Sequence, residues 1–162
     1  KIAGEGPEER RLKKLAGPTV SFLGRMSDDD LPKLYAEARA VLFPVEEDAG
    51  IVPLEAQACG TPVIAYGKGG ASDTVLDGQT GVLFNEQTVD GLAEALRRFE
   101  QLSFYREAIC LHARQFGSDQ FRAKLQSIIF SAYERHCLKL SLGQPQVHAF
   151  RLGSLSPLPQ QP

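Results

Sequence analysis

Two runs of uninterrupted apolar residues, Ala40-Val41-Leu42-Phe43 and Pro62-Val63-Ile64-Ala65-Tyr66, constrain this chain more than any other feature. Each is too short for a helix and lacks the alternation of a half-exposed strand. Each therefore reads as a strand covered on both faces, the arrangement of a parallel sheet. Further strands are expected at the stub Lys1 to Ala3, at Val20 to Leu23 and at Gly81 to Phe84. Helical stretches fall between them: about Glu8 to Leu15, a segment opened by Asp28 to Asp30, Pro53 to Cys59 with Gly60 just past its end, and Ser72 to Leu76. The second of these carries Leu31, Leu34, Tyr35 and Ala38 on one face. Strands alternating with helices at this spacing define an α/β class with a parallel sheet and right-handed crossovers.

From residue 90 onward the pattern is helical, with one apolar stripe at Leu92, Ala95, Leu96 and Phe99 and a second running from Phe121 to Tyr133. Beyond Leu140 the composition shifts towards proline, without acidic residues and with Arg151 as the only lysine or arginine. The expected organisation is a Rossmann-like domain over residues 1–116, a helix over 117–140 that packs on this domain or another, and a flexible tail over 141–162. A net charge of −2 argues against a surface built to coat nucleic acid. No apolar run approaches the roughly 20 residues of a membrane span. The Phe121–Tyr133 stripe reads as a docking face, with peripheral membrane contact as the alternative. Three cysteines without metal-ligand spacing fit a reducing cytoplasmic setting rather than a disulfide framework.

The densest chemistry lies in the stretch from Phe43 to Ala56, which leaves the carboxyl end of a buried strand and enters a helix. Ligands bind at that location in open α/β sheets. Free N–H groups near Gly50, Ile51 and Val52 make a natural phosphate site, and Gly50 leaves room for close approach. Glu47 on the loop and Glu55 one turn into the helix suit hydroxyl groups, which carboxylates accept readily. Read by spacing alone, Glu55 could equally cap the helix start, and Glu46, Glu47 and Asp48 could form a solvated loop. Lys68 and Arg25 are the basic residues expected near a phosphate. Gly69-Gly70 reads as a second anion-binding turn or as a plain tight turn. His112 and His136 lack a sequence-adjacent acid or nucleophile and read as structural.

Glu47 to Glu55 with Gly50 and Pro53 between them, then Ala58-Cys59-Gly60-Thr61-Pro62-Val63-Ile64-Ala65, resembles the E-x7-E motif of retaining glycosyltransferases of family 4, which have the GT-B fold. The likeness extends through Gly4-Glu5-Gly6, the Val20–Gly24 strand with Arg25, Gly69-Gly70 and the run from Asp77 to Phe84. The resemblance implies the donor-binding half of such an enzyme, taking a UDP- or GDP-linked hexose; the stretch from Glu46 to Pro53 resembles mannosyltransferase-like members, which implies GDP-mannose. By the same resemblance Glu55 holds the ribose hydroxyls and Glu47, the catalytic residue, holds the transferred hexose. Backbone amides of Gly50 and Ile51 meet the hexose and diphosphate, and the main chain around Arg25 and Met26 flanks the base. The resemblance implies no metal and no further cofactor. Ala49 departs from the pattern, standing where many members carry an aromatic or larger residue.

In that family a first strand and helix, bearing a basic pair that neutralises the diphosphate, and an amino-terminal acceptor domain would precede Lys1. The half-domain is therefore expected to lack its first strand and helix, and to be inactive alone. With the doubly wound strand order, the lost strand is central, so the stub at Ile2 and the strand at Val41 should be separated by a gap. A slipped sheet, a strand from another chain or marginal stability would follow, with Val147 to Phe150 a minor candidate to fill the gap. Two other functions remain open on sequence: a non-catalytic sugar-nucleotide-binding or assembly module, and part of a GT-B-type epimerase.

Overall fold

The computed structural model describes residues 1–141; the expected tail over 141–162, Val147 to Phe150 included, falls outside the described residues but for Ser141 at the end of a helix. The chain divides into two units, Lys1–Gly117 and Ser118–Pro162. In the first, the elements run β1 (Ile2–Ala3), α1 (Glu9–Leu15), β2 (Phe22–Gly24), α2 (Leu31–Glu37), β3 (Val41–Phe43) and α3 (Ile51–Ala58). They continue with β4 (Val63–Tyr66), α4 (Gly70–Thr74), β5 (Gly81–Phe84), α5 (Val89–Glu100), α6 (Arg106–Ala113) and a 3-10 turn at Arg114–Phe116. The described part of the second unit is one helix, α7 (Ser118–Ser141), which carries the Phe121–Tyr133 stripe.

All strand pairings between these elements are parallel, and they form two sheets: β1 with β2, and β3-β4-β5 in that order. Among the described residues β1 pairs only with β2, and β3 only with β4, so the stub at Ile2 and the strand at Val41 are unpaired with one another and belong to separate sheets. Strand β2 starts two residues later than the apolar pattern suggests. The Val20 amide turns back to the Gly17 carbonyl at 3.1 Å, which keeps Val20 in a turn.

Strand β4 shows why an apolar run can be continuous. Its side chains alternate between two separate cores, as the pleat requires. Val63 and Ala65 join Tyr35, Phe43, Ala56, Ala71 and Val75 on one face. Ile64 and Tyr66 join Val82, Phe84, Ala95 and Phe99 on the other. Helices therefore cover both faces, and all four β4 residues are buried. Strand β3 differs from the expectation of two covered faces. Phe43 is buried, but Leu42 is 49% exposed, because β3 forms the margin of its sheet.

Local signals set the helix ends. Thr88 accepts the Gly91 amide through its hydroxyl and so caps α5. Helix α3 ends in a Schellman arrangement: Gly60 takes φ 76°, its amide bonds the Gln57 carbonyl, and the Thr61 amide bonds the Ala56 carbonyl. Arg106 on α6 then donates to the carbonyls of Ala36 at 2.9 Å and Cys59 at 2.7 Å. One guanidinium thus ties together the carboxyl ends of α2 and α3. On the far side of the sheet Asp77 accepts two bonds from Arg98 and one from the Leu83 amide, fixing α5 against β5.

Gly81 opens β5 where a side chain would collide with the Val63 carbonyl and with Val75. Gly81→Ala should therefore destabilise the first unit by about 3 kcal/mol, read as a lower midpoint in chemical denaturation.

Candidate functional site

Because β3 and β4 are parallel neighbours, their carboxyl ends release two adjacent loops, residues 44–50 and 67–69. The first carries the acidic run and leads into α3; the second leads into α4. They are joined main chain to main chain, with the Gly70 amide donating to the Glu47 carbonyl at 2.7 Å. A Cβ on Gly69 would strike the Glu47 backbone, and one on Gly70 would strike the backbone of Asp48 and Ala49. Gly69 also adopts a positive φ of 62°, which glycine alone adopts readily. The Gly70 amide is thus already engaged, and the two glycines let one loop lie against the other. Gln87, on the loop after β5, donates to the Pro44 carbonyl at 2.8 Å and holds the acidic loop from a second direction.

Gly50 is the residue before α3 and takes a left-handed conformation, φ 61° and ψ 54°. No side chain caps this helix start, and Pro53 within its first turn has no N–H. The amides of Ile51 and Val52 consequently lack an intrahelical acceptor and lie at the positive end of the helix dipole. Glu46, Glu47, Asp48 and Ile51 are exposed and make an open shelf, but Gly50 between them is buried. The room expected at Gly50 for a ligand is taken by protein: a Cβ there would meet the Ala71 amide nitrogen at 3.2 Å and the Gly70 carbonyl carbon at 3.3 Å. Two cavities lie elsewhere. One of about 280 Å³, between Arg39, Pro62, Phe99 and Phe104, is at the amino ends of β3 and β4; one of about 360 Å³ lies between β5 and α5. Neither is lined by Glu47 or Glu55.

Glu55 lies one turn inside α3 and is not a cap. Its Oε2 accepts the Tyr35 hydroxyl at 3.0 Å across from α2. Burial, and then the hydrogen bond and charge of Glu55, push the Tyr35 phenol up to about 12. Among the described residues the Glu47 carboxylate makes no hydrogen bond or ion pair. Lys68 stands 5.5 Å from the centre of the Tyr66 ring, and Tyr66, followed by Glu46, holds its ammonium above the ordinary lysine value. Arg25 and Met26 follow β2 at the carboxyl edge of the smaller sheet. The Arg25 amide lies 3.4 Å from the Glu5 carboxylate. No hydrogen bond among the described residues joins Arg25 or Met26 to the acidic loop or to Glu55.

The structure therefore gathers Glu47, Gly50, Ile51 and Gly70 into one loop assembly, with Glu55 one helical turn away and Lys68 on the adjoining loop. The residue that sequence reasoning passes over is Tyr35, which reads as part of an apolar stripe. Its signal was a hydroxyl on a buried face, which needs a partner. His112, read as structural, lies with Nε2 2.9 Å from the Thr74 carbonyl. No group of three or more potential ligands positioned for a metal occurs among the described residues. No helix among them is long and apolar enough to cross a membrane.

Comparison with known proteins places this arrangement in a family. Residues 1–116 match the model for glycosyl transferases group 1, and the chain belongs to that family. It is 37% identical over 127 residues to a D-inositol 3-phosphate glycosyltransferase from Salinispora tropica, covering 75% of this chain and 26% of the relative. It is 38% identical over 108 residues to a GDP-mannose-dependent alpha-(1-6)-phosphatidylinositol monomannoside mannosyltransferase from Mycobacterium tuberculosis, covering 59% and 28%. The chain thus spans about a quarter of the length of these relatives. Among solved structures it resembles the lipopolysaccharide outer core galactosyltransferase WaaB in its apo form, with a TM-score of 0.73 and 19% identity over 81% of this chain and 40% of that one. It also resembles Anabaena HepE in complex with UDP, with a TM-score of 0.60 and 26% identity over 82% and 40%. The fold is that of one Rossmann-like half of a GT-B glycosyltransferase.

Glu55→Gln should lower the Tyr35 phenol from about 12 towards its ordinary value of 10.0, without reaching it, because burial is the larger cause. Ultraviolet difference titration reads this directly. The folded state holds this proton more tightly than the unfolded chain does. The resulting stability is complete below pH 10 and is lost as the pH rises through about 12, so wild type should lose more stability across that window than Glu55→Gln.

Proposed function

We propose that residues 1–116 are the donor-binding half of a retaining hexosyltransferase that takes a nucleoside-diphosphate sugar. The observation that carries this reading is the uncapped start of α3 at the carboxyl edge of a parallel sheet, with Glu47 before it and Glu55 one turn inside it. The amides of Gly50 and Ile51 meet the diphosphate, where the helix dipole favours negative charge. Glu55 accepts the ribose hydroxyls and Glu47 those of the hexose. Lys68, on the adjoining loop, supplies positive charge towards the phosphates, and the main chain at Arg25 and Met26 flanks the base. Gly70 acts by holding the acidic loop in place.

In the reaction the bond between the anomeric carbon and the diphosphate oxygen breaks while the acceptor oxygen bonds the same face of the sugar. The acceptor proton passes to the departing phosphate. The α3 amides stabilise the negative charge gathering on that leaving group, and Glu47 orients the anomeric carbon through the hexose hydroxyls. No metal and no further cofactor take part. The acceptor is held by a separate amino-terminal domain of the whole protein. Guanine is the favoured base, supported by the GDP-mannose-dependent relative; the UDP complex of HepE makes UDP the second arm of the test. The odd set of three cysteines supports a cytoplasmic setting.

Calorimetric titration of the full-length protein with GDP and with UDP tests the reading. One of the two should bind, and Glu55→Ala should weaken it by roughly 10- to 100-fold, as expected for loss of hydrogen bonds to a charged acceptor. An unchanged affinity would remove the ribose assignment. Adding EDTA should leave nucleotide affinity and transfer activity unchanged, and loss of either would contradict the metal-free mechanism.

A further inference from the structure

We propose that Tyr35 is a positioning residue for sugar recognition: its hydroxyl aims the Glu55 carboxylate at the ribose diol of the donor. The inference deepens the donor-binding reading and rests on it. Tyr35 is anchored more firmly than any residue of the acidic loop. Its ring belongs to the core with Phe43, Ala56 and Val63, and the residue is 9% exposed. Its carbonyl accepts the Thr61 hydroxyl at 2.6 Å and the Ala38 amide at 3.0 Å. The next carbonyl along, that of Ala36, is held by Arg106. Core packing therefore holds the ring, and these main-chain bonds fix the segment of α2 that carries it.

Glu55 has the opposite character. It is an exposed side chain with three rotatable bonds, on a helix face where nothing else among the described residues bonds its carboxylate. Left alone, it would sample several rotamers and lose that freedom on binding. The Tyr35 hydroxyl removes this cost by fixing one oxygen, Oε2, at 3.0 Å. An ionised carboxylate offers about four acceptor positions. With one taken by Tyr35, Oε1 and the rest of Oε2 remain for two adjacent hydroxyl donors, the number a ribose diol supplies. An exposed acid is thus given a single orientation by a buried phenol, which also explains why a hydroxyl stands on a core-facing position of α2.

The test compares each nucleotide with its 2′,3′-dideoxy counterpart in calorimetric titrations of the full-length protein. Tyr35→Phe keeps the ring and its packing and removes only the hydroxyl. It should weaken binding of the ribonucleotide by roughly fivefold to tenfold, the scale of one hydrogen bond, and leave the dideoxynucleotide unchanged. The double variant Tyr35→Phe with Glu55→Ala should bind no more weakly than Glu55→Ala alone, because the hydroxyl acts only through that carboxylate. Equal weakening of both nucleotides would mean that Tyr35 is merely structural and would overturn the inference, as would no change in either. If Glu55→Ala abolishes the preference for the ribonucleotide while Tyr35→Phe preserves it, the positioning role fails and the donor reading stands. If wild type binds neither nucleotide, the donor reading fails and the inference falls with it. If Glu55→Ala leaves the preference intact, the ribose assignment to Glu55 fails and the inference falls while nucleotide binding stands.

Discussion

Strand β4 is hydrogen-bonded along both edges and covered on both faces, and the larger sheet takes its arrangement from it. Four side chains divide two and two between separate cores, so α2, α3 and α4 gather on one side and α5 on the other. Parallel pairing with β3 brings two loops out at the same end. The loop after β4 can then lie against the loop after β3, and the single amide-to-carbonyl bond from Gly70 to Glu47 joins them. The uncapped helix start at this end of the sheet, and the acids before it and one turn inside it, follow from this geometry. A protein in which β3 and β4 ran antiparallel would send the same two loops to opposite ends and have no such shelf.

Much of this was legible beforehand because the signals were local. A proline-led apolar run, a glycine after α3 and the Asp77-Gly78 turn each specify their conformation within a few residues. The acidic loop was marked by its place between a buried strand and a helix and by the resemblance of the surrounding residues to the E-x7-E motif. The spacing of the two acids alone fitted a capped helix equally well. What sequence could not supply was pairing. Leu42 has the same apolar character as Ile64, yet one is half exposed and the other fully buried, because only the second has a strand on each side. Helix α4 begins at Gly70, two residues before the serine that looked like its start, because the Gly69-Gly70 backbone is held against the acidic loop. Tyr35 was legible as a core residue, but its partner lies twenty positions away on another helix.

Electrostatically the shelf has two signs within a short span. The start of α3 offers uncapped amides and the positive end of a dipole, while Glu46, Glu47 and Asp48 precede it on the loop and Glu55 follows one turn inside the helix. A simple anion would meet repulsion there, and a simple polyol would find no use for the amides. On the donor-binding proposal, a ligand that is anionic in the middle and hydroxylated at both ends would satisfy both. On that proposal the selectivity would arise from order along the chain, acid, then helix start, then acid, rather than from an enclosing pocket.

Gly69 and Gly70 shape this region through side chains they do not have. One methyl group at either position would push apart two stretches of backbone, whereas the acidic side chains nearby point into open solvent and have room to vary in size. The map of tolerance is thereby inverted: the chemically blank positions are the rigid ones, and the conspicuous charges are the forgiving ones as far as folding goes. A survey that substituted alanine throughout, on the assumption that alanine is the neutral choice, would leave its deepest mark where it removed nothing at all.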